Sequence, residues 1–183
     1  MLISHEREKL IQAINFFVRN TSNCGKIKLF KLLYFFDFEH FKATGRSVTG
    51  LAYNAWPKGP VPVSLYNEID APQADLEDAF RFEQKPIRDG YMLKIHSKSP
   101  FDGRHFSRRE RRLLDDLANE YRTTLADDMI EATHLENQPW DRVYHESGNP
   151  QGVIPYDLAI RPDEHEAVSR IASDRKELLE KLR

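Results

Sequence analysis

The segment from residue 26 to residue 44, KIKLFKLLYFFDFEHFKAT, constrains the fold more than any other part of the sequence. It is strongly apolar, it has the length of a helix, and Gly45 follows it, a residue that commonly ends helices. We therefore expect an α-helix from Lys26 to Thr44, and we expect the rest of the chain to be organised around it.

One residue of this helix breaks its charged face. At 100° per residue, Lys28, Lys31, Phe35, Glu39 and Lys42 fall within about 40° of one direction. Phe35 is thus an aromatic residue centred in a charged stripe. Either another element covers it, or it is an aromatic anchor of the kind that polar rims surround at protein interfaces.

A second residue breaks the opposite, apolar face, where Asp37 lies among Phe30, Leu33 and Phe41. A buried carboxylate needs partners, because without them it costs several kcal/mol or becomes protonated. We expect donors from the Tyr53 hydroxyl, the indole of Trp56, a backbone N–H or a basic side chain. The favoured interpretation is a polar clamp between helix and strand; the alternative is a carboxylate presented to a partner.

The helix leads into a strand and a proline-rich corner. Residues 48–56 alternate as an extended strand does, with Leu51, Tyr53 and Ala55 on one side. In the corner WPKGPVP at 56–62, Pro57 and Gly59 suit a type I turn, and Pro60 keeps the next residues extended. We expect Trp56 to fill core and the corner to be scaffold.

The remaining chain predicts more helices and one hairpin. Asp89-Gly90 predicts a type I′ turn between strands 80–88 and 91–97. Helices are expected at 4–20 (capped by Ser4), 64–71, 75–79, 107–122 (opened by a Ser107/Glu110 capping box), 124–133 (capped by Thr124), 139–145 and from Pro162 onward. We predict a mainly α-helical α+β single domain over 1–183 with a small antiparallel sheet.

Composition bounds the function classes. The 27 basic and 29 acidic residues give a net charge of −2, so no overall field attracts nucleic acid or membrane. Cys24 is the single cysteine, which excludes an internal disulfide and a cysteine-based zinc site. No signal peptide is recognised at the start, and the longest apolar run has five residues. We expect a cytoplasmic protein.

The sequence lacks a recognisable catalytic pattern. None of the seven histidines is spaced as a metal-binding pair, and no nucleophile elbow or phosphate loop is present. Asp37 and His40 could meet at i, i+3, but two groups make neither a zinc site nor a triad. We expect no enzyme activity, no cofactor and no metal.

Four arginines fall within six residues, at 108, 109, 111 and 112. They could follow phosphates, but Asp115 and Asp116 come directly after them. The favoured interpretation is a solvated helix face with the ion pairs Arg111–Asp115 and Arg112–Asp116. Nucleic-acid binding is the alternative.

The central helix and the corner together resemble the core of the Panacea domain, a SocA-like antitoxin domain found in phage-associated proteins. The resemblance covers about 26–69. Its residues are the run KLLYF at 31–35, Asp37, His40, Gly45, Arg46, Thr49, Gly50, Tyr53 and the run AWPKGPVP at 55–62. Of these, Asp37, Tyr53, Trp56, Pro57, Gly59 and Pro60 are interpreted as the structural signature, with the helices of 107–183 as its complement.

The resemblance implies an antitoxin that neutralises a cognate protein toxin by direct binding, without catalysis, cofactor or metal. One branch of the family instead delivers its toxin to a protease as an adaptor. We expect toxin contact on the charged stripe, through Lys31, Phe35 and Glu39. The alternatives are a proteolytic adaptor and a nucleic-acid-binding phage or prophage regulator that would use the arginine run.

Overall fold

The computed structural model describes residues 4–87, 90–135 and 138–160, together with single positions between 168 and 181. The first two helices are α1 (Glu6–Asn20) and α2 (Lys26–Thr44). The bounds predicted for α2 are confirmed, and Gly45 ends it in the left-handed conformation at φ 67°. The predicted cap of α1 is wrong: the helix begins after His5, and Ser4 lies outside it.

Helix α2 lies at the centre of the fold. It contacts α1 and, later in the chain, a strand at Gly59–Val61, helices at Arg108–Glu120 and Ala126–Thr133, and a 3₁₀ turn at Tyr156–Ala159. Leu29, Leu32, Leu33 and Phe36 are fully buried, so several sides of the helix are covered at once. This covering explains how a nearly continuous apolar sequence remains helical and stable in water.

The corner after α2 forms a short hairpin. Strand β1 (Asn54–Trp56) pairs antiparallel with β2 (Gly59–Val61), and Pro57 and Lys58 form the turn between them. The predicted strand over 48–56 is therefore confirmed only at its end. The predicted alternation is confirmed, since Leu51, Tyr53 and Ala55 are buried.

A second hairpin forms a separate two-stranded sheet. Helices α3 (Val63–Asp70) and α4 (Ala74–Ala79) lead to β3 (Phe80–Ile87), which pairs with β4 (Gly90–Ser97). Ile87 pairs with Gly90, so Gly90 belongs to the strand and not, as predicted, to the centre of the turn. Asp89 lies outside the described residues.

The second half supplies helices around α2: α5 (Arg108–Glu120), α6 (Ala126–Thr133), α7 (Pro139–Asp141), which continues as a π-helical turn to Glu146, and a 3₁₀ turn (Tyr156–Ala159). The Ser107/Glu110 capping box of α5 is confirmed. The predicted Thr124 cap is wrong, because α6 begins after Leu125. The start of the last predicted helix at Pro162, and its leucines, lie outside the described residues.

This mainly helical α+β architecture confirms the predicted fold class, and the described residues form two small sheets in place of one. In the part of the chain that the structure describes, no helix has both the length and the apolar character needed to cross a membrane.

Candidate functional site

An open groove of about 260 Å³ lies on the outer side of α2, where the C-terminal ends of α5 and α6 and the start of α7 approach it. It contains two of the three residues for which toxin contact is predicted, Phe35 and Glu39. The lining residues used below are Tyr34, Phe35, Phe38, Glu39, Tyr121 and Leu135. We call this surface the aromatic groove.

The floor of the groove consists of aromatic rings that contact one another. Phe35 is half-buried, and its ring is nearly parallel to that of Tyr121, with centroids 5.4 Å apart and 6° between the planes. The centroid of the Tyr34 ring lies 5.7 Å from that of Phe35 and 4.2 Å from that of Phe38. Burial raises the pKa of Tyr121 to about 12, so its hydroxyl stays protonated at neutral pH. Tyr121 thus covers one face of Phe35, and the rest of the ring borders the groove. That Phe35 anchors a partner stays a prediction.

The rim of the groove is charged on one side and apolar on the other. Glu39 is exposed and lies 3.4 Å from Lys42. Leu135, just beyond α6, is 59% exposed. An aromatic floor with a mixed rim is the composition typical of the centre of protein interfaces.

Lys31, the third residue predicted to contact a toxin, is not on this surface. Only 1% of it is exposed, and its ammonium group donates to the carbonyl oxygen of Pro60 at 2.8 Å. Burial lowers its pKa from 10.5 to about 7. The expectation that Lys31 contacts a partner is therefore wrong for this structure; it joins α2 to the β1–β2 hairpin.

Lys28, a second member of the predicted stripe, is also buried. Its ammonium group donates to Ser22 O at 2.9 Å, Thr124 O at 2.8 Å and Arg122 O at 3.4 Å. The exposed part of the stripe is thus limited to the C-terminal half of α2. Helical periodicity missed this because long lysine side chains can place their charge at backbone carbonyls beyond the helix.

Asp37 is the polar clamp that its position predicts. It is fully buried, and Oδ1 accepts hydrogen bonds from the backbone N–H groups of Val48 and Thr49, both at 2.8 Å. Oδ2 accepts from the Tyr53 hydroxyl at 2.8 Å and from the Thr49 hydroxyl. Burial raises the pKa of Asp37, and the four donors act in the opposite direction. These bonds fix α2 to the segment that leads into β1.

Asp37 and His40 do not form the pair that their spacing allowed. His40 instead places Nδ1 2.8 Å from the carbonyl oxygen of Arg46, six residues further on. Asp37 is sealed in the core, so it cannot act on a substrate from solvent. Among the described residues, no three or more histidine, cysteine, aspartate and glutamate side chains are grouped to hold a metal ion.

The tryptophan that is buried in the core is Trp140 and not Trp56. Trp56 is only partly buried and contacts Tyr66 at 5.1 Å. Trp140 is buried, stacks on His134 at 3.7 Å, and donates its indole N–H to Trp56 O at 2.9 Å. The expectation that Trp56 fills core is therefore met only in part, since its side chain packs against the core while partly exposed. Of the alternative donors to Asp37, the Tyr53 hydroxyl and backbone N–H groups are the ones observed, and the backbone of Trp56 accepts from the core tryptophan.

The arginine run of α5 is exposed. The predicted ion pairs Arg111–Asp115 and Arg112–Asp116 are absent among the contacts of the described residues, while Arg111 Nε donates to Phe106 O at 3.3 Å. Nothing in the fold tests nucleic-acid binding, which stays a prediction.

Part of this groove follows from the sequence, namely the residues that α2 and the end of α5 contribute. Tyr121 was recoverable from the apolar periodicity of α5, which places it on the inward face. Leu135 follows α6 in a short connection and has no periodic signal of its own. Only the approach of α6 and α7 to α2 brings it to the rim.

The fold and site define a helical domain with a polar clamp at its centre and an aromatic groove on its surface. A family model described as antitoxin SocA-like, Panacea domain, matches residues 29–141. The chain belongs to this family. The match extends well beyond the 26–69 resemblance, to α5, α6 and the start of α7, the elements that form the groove. No curated protein and no solved structure matches the chain.

Proposed function

We propose that this protein is an antitoxin that neutralises a cognate protein toxin by binding it directly, without catalysis, and that the aromatic groove is its docking surface. Family membership supports an antitoxin-type role. Direct binding, the identity of the partner as a toxin and the use of the groove are the proposal.

The proposal that the groove is a docking surface rests on the incomplete burial of Phe35 close to an exposed leucine. Tyr121 covers one face of Phe35, whereas Leu135 is 59% exposed at the rim. Removing such apolar groups from water contributes about 25 cal/mol per Å². A partner that inserts an apolar or aromatic side chain here gains this contribution and stacks on rings that are already held in place.

The charges at the rim give the surface its specificity. Glu39 and Lys42 lie side by side, so a complementary partner would place a cation near Glu39 and an anion near Lys42. Exposed ion pairs contribute little to affinity, but a charge of the wrong sign at an interface is strongly unfavourable.

The test is co-expression with the product of the adjacent gene. The proposal expects that this product alone stops growth, that the antitoxin restores growth, and that the two proteins co-purify as a stable complex. If growth is not restored and no complex forms, the antitoxin proposal is overturned for that pair.

A charge reversal tests the surface within the same experiment. Glu39→Arg places two cations at the rim and is expected to reduce growth rescue and co-purification. Glu77→Arg makes the same change on α4, at an exposed residue outside the groove, and is the matched control. Equal behaviour of the two variants would remove the groove from the proposal while leaving the antitoxin role intact.

A further inference from the structure

A second cavity, of about 450 Å³, opens between α1, the loop after α2 and the start of α5. Its volume falls within the range of about 300–1,000 Å³ typical of small-molecule sites. None of its lining residues belongs to the aromatic groove. We call it the polar cavity, and its lining includes Lys9, His40, Arg46, His105, Arg109 and Glu110.

The charge of the polar cavity is dominated by two arginines. Lys9 and Glu110 neutralise each other, with 2.6 Å between Nζ and Oε1. Arg46 and Arg109 are exposed, and neither has a carboxylate partner in the part of the chain that the structure describes. Glu6 is the other carboxylate of the lining, so the cavity keeps an excess of positive charge.

A buried histidine borders the cavity with one nitrogen unused. His40 is 8% exposed, and its Nδ1 lies 2.8 Å from Arg46 O and 3.2 Å from Thr44 Oγ1. Because a carbonyl oxygen only accepts, Nδ1 carries a proton and leaves Nε2 for another partner. Among the described residues Nε2 has no hydrogen bond, and it is not one of their buried unpaired atoms, so it is accessible from the cavity.

The N-terminus of α5 is not the source of this site. Ser107 and Glu110 already form a capping box there, and Glu110 accepts from the backbone N–H of Ser107 at 2.6 Å. Recognition of a ligand would instead depend on side chains: the guanidinium groups of Arg46 and Arg109 and the imidazole of His40.

We propose that the polar cavity binds a phosphate monoester of a small molecule. A phosphoryl group matches two planar guanidinium groups, which bind phosphate oxygens in pairs, and in a singly protonated monoester the P–OH group donates to His40 Nε2. The remaining volume accommodates the organic part of the molecule. The other arginines of the run, at 108, 111 and 112, are outside the lining, which favours an enclosed small ligand over a nucleic-acid strand.

The test is a titration of the full-length protein with phenyl phosphate and with inorganic phosphate, followed by calorimetry and by the imidazole NMR signals. We expect saturable one-to-one binding of phenyl phosphate that shifts the signals of His40 and His105. Arg46→Ala/Arg109→Ala is expected to weaken binding by about tenfold or more, since a hydrogen bond to a charged group contributes about 1.5–3 kcal/mol.

The matched control is Arg108→Ala/Arg112→Ala, which removes two exposed arginines of the same helix from outside the lining. It should bind phenyl phosphate as the unchanged protein does. Circular dichroism of both double variants should be unchanged, because all four side chains lie on the surface. His40→Gln should also weaken binding.

Three results would overturn the proposal. The first is the absence of saturable binding of either phosphate compound. The second is an equal loss in the two double variants, which reports general charge and not the cavity. The third is that a short single-stranded oligonucleotide binds far more tightly than phenyl phosphate and depends on all four arginines, which identifies a nucleic-acid surface. None of these results bears on toxin binding.

Discussion

Two buried polar residues on α2 have opposite effects on the free energy of folding. Asp37 is surrounded by four donors, so its burial is compensated by hydrogen bonds. Within the part of the chain that the structure describes, Lys31 has one acceptor, the carbonyl of Pro60, and burial lowers its pKa to about 7. Asp37 therefore specifies how the chain after α2 is placed, whereas Lys31 is maintained at a cost in stability.

Asp37→Asn is expected to lower the free energy of unfolding by about 2–4 kcal/mol. The amide group presents donors to groups that also donate, so at least one hydrogen bond is lost and a buried donor is left unpaired. Chemical denaturation followed by tryptophan fluorescence measures the change. The control, Tyr53→Phe, removes only one of the four donors and should cost about 1–2 kcal/mol. Equal losses would contradict the clamp.

Lys31 predicts a specific dependence of stability on pH. Below pH 7 the lysine is protonated in both states, and the folded protein bears the cost of a buried charge. Between pH 7 and its unfolded pKa of 10.5, the unfolded state binds more protons, so stability rises with pH. The rise contributed by Lys31 approaches about 1.4 kcal/mol per pH unit in the middle of that interval.

Lys31→Met isolates this contribution, because methionine fills similar space and does not titrate. The difference in unfolding free energy between the variant and the unchanged protein, measured from pH 6 to pH 9, should favour the variant most at low pH and decrease as pH rises. If the unfolding free energies of the variant and of the unchanged protein changed equally with pH over this interval, Lys31 would not be buried as described.

At the scale of elements, the β1–β2 hairpin depends on a close approach to α2 and α6. A Cβ at Gly59 would lie 2.6 Å from Thr133 Oγ1 and 2.9 Å from Lys31 Cε, and the residue has φ +92°. Only glycine adopts this backbone conformation without strain and also lacks the Cβ that would clash with these two side chains. The glycine of the corner is thus required for the packing of the hairpin as well as for its turn.

Gly59→Ala is therefore expected to lower the melting temperature by more than backbone strain alone would. Gly148→Ala is the control, since Gly148 also has a positive φ, +56°, but a Cβ there would meet no atom of the described residues within 4 Å. The control should lose about 1–2 kcal/mol from the left-handed conformation, and Gly59→Ala clearly more. Similar losses of unfolding free energy in the two variants would indicate that the hairpin lies further from α6 than the structure shows.

The sequence predicted the elements better than the contacts between them. Helix α2, the capping box of α5 and the alternation around Tyr53 follow from local periodicity and capping chemistry. The burial of Lys28 and Lys31 does not, because their acceptors are carbonyls at residues 22, 60, 122 and 124, distant in sequence or outside the helix. For the same reason the groove was predicted only through Phe35 and Glu39, its contribution from α2.

In the whole molecule, the Asp37 clamp and the aromatic groove occupy different sides of α2. The clamp of Asp37 and the corner at 56–62 fix the fold, and the family match includes them. The aromatic groove lies where the later helices meet α2, and the proposed function assigns toxin binding to it.

The affinity of the purified protein for its toxin, measured by calorimetry for two leucine variants, tests this assignment most directly. Leu135→Arg changes the rim of the groove, while Leu125→Arg changes a leucine of similar exposure, 57% against 59%, at the other end of α6. We expect Leu135→Arg to weaken binding by about 30-fold or more, as loss of an interface hot spot does, and Leu125→Arg to have little effect. Unchanged affinity in Leu135→Arg, or an equal loss in both variants, would contradict the groove as the toxin-binding surface.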